Sequence, residues 1–393
     1  MIRTPLPITA YALASSLGPR TDDALRALKG SRRGLRAPPV DVPFETVTGT
    51  VPFALPELPD ELKMHDSRTA RLAFFGIEPM RAPVEAAVRR YGAERVALVL
   101  GTSTGGIDRT EDAHHRWWEA GQGAAPLPAD YRYHEQHTFH SVVDLLGAHL
   151  GLRGPAYVVS TACSSSAKVF ASARRLIELD VVDAALVGGV DALCHTTVRG
   201  FHGLGVMASE PCRPFGANRP GMNVGEAAAY LLLERRGEAR AFFRGAGESS
   251  DAYHMSSPQP EGLGAQAAMR VALAEAGIDA SEVDHVNAHG TGTRHNDSAE
   301  ATALRALFAK EVPVVSTKAF TGHTLGACGG TEAILSLLCL EHGLVPAALG
   351  SNPADEGIDL TLPESVREQR LRYVISNAFA FGGNNCSLLF EAA

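Results

Sequence analysis

The chain has 393 residues, 45% of them hydrophobic and 20% charged, long enough for two cores or one large duplicated one. Its formal net charge of −8 argues against a general nucleic-acid binder, although an acidic protein partner needs only a local basic patch. Six scattered cysteines without CxxC spacing favour free thiols in a reducing, cytoplasmic compartment.

Near the N-terminus, Arg3 followed by PLPITAYALASSLG loosely mimics a signal peptide. Pro5 and Pro7 break its apolar stretch, so PITAYAL reads as a first β-strand leading into a loop. No apolar run reaches the roughly 20 residues that a membrane-spanning helix needs. Short apolar, β-branched runs then predict strands at 95–101, 156–161, 183–190, 227–234, 284–290, 313–317 and 373–379. Amphipathic patterns predict helices at 165–179, 265–278, 298–309 and 329–343. Strands alternating with helices indicate an α/β protein with mostly parallel sheets covered on both faces.

The order of elements repeats. LVLGTSTGG (98–106) and VNAHGTGT (286–293) each end a strand in a Gly/Thr turn. Downstream of each comes VVST, at 158–161 and 314–317, running into a segment of small residues. The echo divides the chain into halves, residues 1–242 and 243–393.

Three segments carry the chemistry. Cys163 in TACSSS lies between a strand and a helix, where the macrodipole lowers a thiol pKa and backbone N–H groups face an acyl oxygen. His289 ends a strand and enters HGTGT, whose glycines allow close approach of a ligand. His323 stands in TGHTLGACGG, and Lys318 five residues earlier requires a partner or a role, because an unpaired buried ammonium is costly. A thiol to hold one acyl group and two imidazoles to steady an enolate suit carbon–carbon bond formation on thioesters. Cys194, Cys328, Cys339 and Cys386 read as small core residues.

Taken in order, TACSSS, SSDAYHMSSP, VNAHGTGT with NDSAEATAL, STKAFTGHTLGACGG, NPADEGIDL and NAFAFGGNNCSLLF resemble the β-ketoacyl-acyl-carrier-protein synthases of the thiolase superfamily, the elongating type II form in particular. The resemblance implies a thiolase-like, five-layered αβαβα fold built from two related halves and working as a dimer. It implies that Cys163 takes an acyl chain from acyl carrier protein and that malonyl-carrier protein loses CO2 and attacks it, giving a 3-ketoacyl product. No cofactor is implied beyond the carrier's phosphopantetheine.

By the same resemblance His289 and His323 donate to the malonyl thioester oxygen, and Lys318 with Glu332 sets their electrostatics. The N–H groups of Cys163 and Phe381 form the oxyanion hole, and Phe379, Ala380 and Phe381 form a gate. Thr104 and Phe201 shape the acyl pocket, and Asp297 and Glu300 organise the HGTGT loop. Arg68, Arg199 and Arg213 are candidates for contacting the carrier protein. Gly216 after RPF, GEAAA at 225–229, Ala380, Cys328 and Asn384 depart from the housekeeping pattern, and His195, Arg199 and His202 add polar groups near the presumed pocket or interface. They point to a specialised synthase, such as an aryl polyene ketosynthase, paired with itself or with a chain-length-factor homologue.

Two other readings compete. A catalytically silent chain-length-factor subunit would lack the nucleophile, whereas Cys163, Lys318, His289 and His323 are all present. A metal site is suggested by His134, His137 and His140 in HEQHTFH, with His114 and His115 upstream, but the run lacks HExxH, and i and i+6 diverge around a helix. The expectation is therefore no metal.

Overall fold

The computed structural model describes residues 2–121 and 126–393. Ten strands form one hydrogen-bonded ladder: β1 (Leu6–Ser15), β2 (Val96–Gly101), β3 (Ala156–Val159), β4 (Ala184–Asp191), β5 (Ala227–Glu234), β6 (Ala241–Ser250), β7 (His285–Asn287), β8 (Val314–Val315), β11 (Tyr373–Phe379) and β12 (Asn384–Ala392). Two short strands, β9 (Leu344–Val345) and β10 (Arg367–Glu368), pair separately.

The ladder runs β3-β2-β4-β5-β1 and then β6-β12-β11-β7-β8, so its second half repeats the first in reverse spatial order. β2 is parallel to β3 and β4, and β7 is parallel to β8 and β11. β4–β5–β1 and β11–β12–β6 are antiparallel in turn. The two VVST segments therefore feed equivalent strands, β3 and β8. The halves meet edge to edge, where Leu6–Ile8 pairs with Ala241–Phe243.

Alternation within the strands builds the layers, because successive side chains point to opposite faces. Leu98 and Leu186 face an outer cluster with Leu72, Ile77, Val142 and Leu146. Their neighbours Val99 and Val187 face the central cluster, with Val169 and Phe170 of the Ser165–Glu178 helix and Ile334 and Leu337 of the Cys328–His342 helix. In β11, Val374 joins that centre while Ile375 faces a third cluster with Met269, Ala301 and Leu304. Helix, sheet, paired helices, sheet and helix make five layers. Close approach of the two central helices depends on Gly329, where a Cβ would stand 2.4 Å from Ala167 N.

Strand and helix centres agree with the sequence reading, and β5 and β11 match it end to end. β6 and β12 were not expected. Arg244, Glu248 and two glycines interrupt the apolar pattern of β6, whose ladder bonds come from β1 and β12.

Candidate active site

Cys163 sits at a strained elbow after β3. Ala162 has φ +51°, and Ser165 Oγ caps the turn by donating to Ala162 O at 2.5 Å and accepting from Thr161 N at 2.9 Å. The Ser165–Glu178 helix begins two residues later. This is a sharp strand-to-helix turn that aims the side chain at the space between the halves.

The second half brings the imidazoles to it. His289 follows β7, and both oxygens of buried Glu300 hold its backbone, accepting from His289 N at 2.8 Å and Gly290 N at 2.7 Å. Asp297 accepts from Gly292 N at 3.2 Å and, across the halves, from Phe215 N at 2.8 Å. His323 is pinned to the first half, its N–H donating to Asn223 O at 2.7 Å while its carbonyl accepts from Gly225 N at 2.8 Å. The result is a cluster in which Cys163 Sγ and one ring nitrogen from each histidine lie within 4.8 Å of one another. The imidazole planes stand at 86° with centroids 5.3 Å apart.

Hydrogen bonding fixes both tautomers. Lys318 Nζ lies 3.1 Å from His289 Nδ1, and an ammonium only donates. His323 Nδ1 accepts from Leu325 N at 3.1 Å, a contact set by the left-handed φ of +52° at Leu325. Each neutral ring therefore carries its proton on Nε2. Burial, with Lys318 adding to it, holds both histidines well below their ordinary pKa of 6.5, and His323 further depresses His289. Two Nε2–H donors thus remain for a ligand. That is a site for a carbonyl oxygen rather than a metal, which would need those nitrogens as lone pairs.

Lys318 donates to Glu332 Oε1 at 2.5 Å, and both are buried. Desolvation is the largest influence and works against the ammonium, but Glu332, Cys328 and Glu300 together outweigh it, and the Lys318 pKa lies above its ordinary value. Burial pushes Cys163 up to about 11, against the pull of Lys318 and of the Phe381 and Cys163 N–H groups. This corrects the expectation of a depressed thiol pKa, since desolvation exceeds the helix-terminal effect. The Cys163 and Phe381 N–H groups anticipated as an oxyanion hole both favour the thiolate here.

A cavity of about 250 Å³ opens on Cys163, His289 and His323. Phe201, Leu204, Val206 and Met222 line one side, and Thr291, Thr293, Ser256 and Asn296 the other. Phe379, Ala380 and Phe381 border the thiol, with the Phe381 ring 6.3 Å from Phe201 and Phe379 6.2 Å from His289. Ala380 is extended at φ −104° and ψ 154°, so its methyl adds no backbone strain here. The left-handed residues of the loop are Gly382 and Gly383.

Other expectations fare differently. Thr104 does not line the cavity; its N–H and hydroxyl both donate to Asp191 Oδ1, at 2.9 and 2.6 Å. Arg68 forms a two-pronged ion pair with buried Glu226 at 2.9 and 2.6 Å. Arg199 is exposed and donates to Asp41 O at 3.2 Å, and Arg213 pairs with Glu210 at 2.7 Å. In the histidine-rich insertion, His137 is bonded to Thr110 and His140 Nε2 lies 3.4 Å from Asp144. Among the described residues, His134, His137 and His140 form no converging ligand group.

Sequence reasoning missed Asp191 and Glu226. Asp191 accepts from Thr102, Ser103 and Thr104 in one half and from Ala327 N in the other, bracing the His323 loop. Glu226 accepts from Val51 N and Leu193 N besides Arg68. Each is a lone acid at a strand end, with nothing in its neighbours to set it apart.

The beta-ketoacyl synthase N-terminal domain model matches residues 5–239, and the C-terminal domain model matches residues 240–352. The chain belongs to the beta-ketoacyl synthase family. Within the family it is 32% identical over 384 residues to nodulation protein E of Rhizobium meliloti, covering 92% of each chain. It is 35% identical over 327 residues to 3-oxoacyl-[acyl-carrier-protein] synthase 2 of Vibrio harveyi, covering 77% of each. A solved structure of the ketosynthase ApeO in complex with its chain length factor ApeC, from Xenorhabdus doucetiae, superposes with a TM-score of 0.91 at 37% identity, covering 99% of this chain and 98% of that one. The ishigamide ketosynthase/chain length factor structure gives 0.90 at 25% identity, with complete coverage of both chains. The thiolase-like fold read from the motifs is thus the fold observed.

Proposed function

We propose that the chain condenses an acyl group held on Cys163 with malonyl-acyl carrier protein, with loss of CO2, to give 3-ketoacyl-acyl carrier protein. The observation that carries this reading is the pair of neutral imidazoles, both with Nε2–H donors, beside one buried thiol.

In the first half-reaction the sulfur of Cys163 attacks the acyl thioester. The tetrahedral oxyanion is held by the N–H groups of Cys163 and Phe381, and the departing pantetheine thiolate takes up the thiol proton. In the second, the malonyl thioester oxygen accepts from Nε2–H of His289 and His323. Loss of CO2 leaves an enolate whose charge these donors stabilise by about 3 kcal/mol each, on the order of a hundredfold in rate. The enolate carbon then attacks the acyl carbonyl and expels the Cys163 sulfur. Lys318 keeps His289 in the donating tautomer. No cofactor enters; both substrates ride on the carrier's phosphopantetheine.

The intact Cys163, His289, His323 and Lys318 favour this role over a silent chain-length factor. The likeness to ApeO with ApeC supports a specialised elongation role, as in aryl polyene assembly, and a dimer with a chain-length-factor homologue rather than with itself. Copurification from the native host followed by mass spectrometry of the Cys163 peptide tests this. A second synthase-like subunit and an unsaturated or aryl acyl group are expected. A homodimer carrying saturated long chains would overturn the specialised role.

No helix among the described residues is long and apolar enough to cross a membrane. Together with six free cysteines, this supports a cytoplasmic location for the reaction.

A further inference from the structure

The condensation uses one thiol, but a second stands against it. Cys328 opens the Cys328–His342 helix, is fully buried, and directs its Sγ at the carbonyl oxygen of Cys163, 2.9 Å away. The two side chains belong to one small apolar cluster with Ala162 and Ala380. His289 offers a ring nitrogen within 4.8 Å of each sulfur. A sulfur at that distance from a carbonyl oxygen lies within about 5 Å of the same residue's Cα, and a disulfide between the two residues requires both side chains to rotate. Both thiols are free, and neither Cys194, Cys212, Cys339 nor Cys386 shares the cluster.

We propose that Cys163 and Cys328 form a reversible disulfide when the enzyme meets a hydroperoxide, so that Cys328 is the resolving thiol of the active-site nucleophile. Access is asymmetric: Cys163 lines the substrate cavity, whereas Cys328 does not. The peroxide therefore reacts first at Cys163, slowly because burial keeps that thiol mostly protonated; its minor thiolate form takes one oxygen to become a sulfenic acid as hydroxide leaves. Cys328 sulfur then attacks the sulfenyl sulfur, forming the S–S bond and breaking S–O, and water departs with the Cys328 proton. While the bond stands Cys163 cannot be acylated, and it cannot proceed to sulfinic or sulfonic acid. A dithiol restores both thiols by exchange.

The disulfide itself depends on the two sulfurs' positions; only its effect on activity rests on the proposed condensation. The test treats the reduced, purified protein with hydrogen peroxide, blocks remaining thiols, digests it and analyses the peptides by mass spectrometry. A cross-linked pair containing Cys163 and Cys328, lost on adding dithiothreitol, is expected. In Cys328→Ser and Cys328→Ala, Cys163 should appear as sulfinic or sulfonic acid. Activity regained with dithiothreitol, relative to each variant's untreated value, should fall at least about tenfold below wild type. Over-oxidised Cys163 without a cross-link in the wild-type protein overturns the proposal, and this readout requires no variant to fold. Equal recovery in wild type and both variants overturns it as well.

Discussion

Lys318 Nζ stands 3.1 Å from His289 Nδ1 and 2.5 Å from Glu332 Oε1, so one ammonium sets the tautomer of the His289 imidazole and carries its own counter-charge. The histidine and the lysine lie 29 residues apart and meet only because the β7 and β8 ends adjoin.

That relationship has a pH signature. A histidine whose pKa is depressed in the folded protein keeps its neutral, donating form until the pH falls well below 6.5. Malonyl decarboxylation should therefore show no acid limb centred near 6.5. Replacing Lys318→Met together with Glu332→Gln, which avoids orphaning a buried carboxylate, removes one cause of the depression and leaves burial. Both pKa values rise, so the decarboxylation rate of the variant should change between pH 8 and pH 6, where that of the wild type stays flat. A pH–rate profile of the two proteins checks this; parallel profiles would contradict it.

The site divides its labour between the two halves. His323→Ala removes an enolate donor and is expected to lower malonyl decarboxylation about 100- to 1000-fold, while acyl transfer to Cys163 persists. Cys163→Ala should do the opposite, abolishing acyl loading yet still releasing CO2. Separate assays of the two half-reactions read the split.

Arg68 offers a test of stability rather than binding. Arg68→Ala leaves the Glu226 carboxylate buried with backbone donors only, at a cost of about 3–5 kcal/mol. Thermal melting should show the loss. Arg199→Glu and Arg213→Glu should leave melting nearly unchanged, and a raised KM for carrier-protein substrate would assign them to docking.

The proposed gate can be tested through the backbone freedom of its loop. Gly382 has φ +81° and open space around a would-be Cβ, with Asn384 Nδ2 3.6 Å away. Gly382→Ala therefore acts through conformation alone, costing about 1–2 kcal/mol in the left-handed region. We expect slower acyl transfer with little change in decarboxylation. Ala380→Gly should destabilise by about 0.4–1 kcal/mol, because an unstrained alanine is replaced by a freer residue.

The trio was legible because each member is flanked by small residues, Cys163 and His289 just past a strand and His323 just past the short helix Lys318–Thr321, a local signal that survives without knowledge of the fold. The α/β class followed from apolar runs of the right length, since strands buried on both faces lack alternation, whereas the five layers came from the resemblance carried by the motifs. Residues whose role depends on a distant partner were not legible. Thr104 and Asp191 are 87 positions apart, Thr102 and Asp191 are 89 apart, and Arg68 and Glu226 are 158 apart. The Cys163 pKa failed for a different reason: a helix terminus is visible in sequence, but full burial of the thiol is not.

The most direct measurement of the central claim is intact-protein and peptide mass spectrometry after incubation with acyl-carrier protein alone, followed by addition of malonyl-carrier protein. The account predicts one acyl group on Cys163, discharged as 3-ketoacyl-carrier protein when the malonyl donor arrives. Product formed at an undiminished rate by Cys163→Ala, or an acyl group on any other residue, would contradict it.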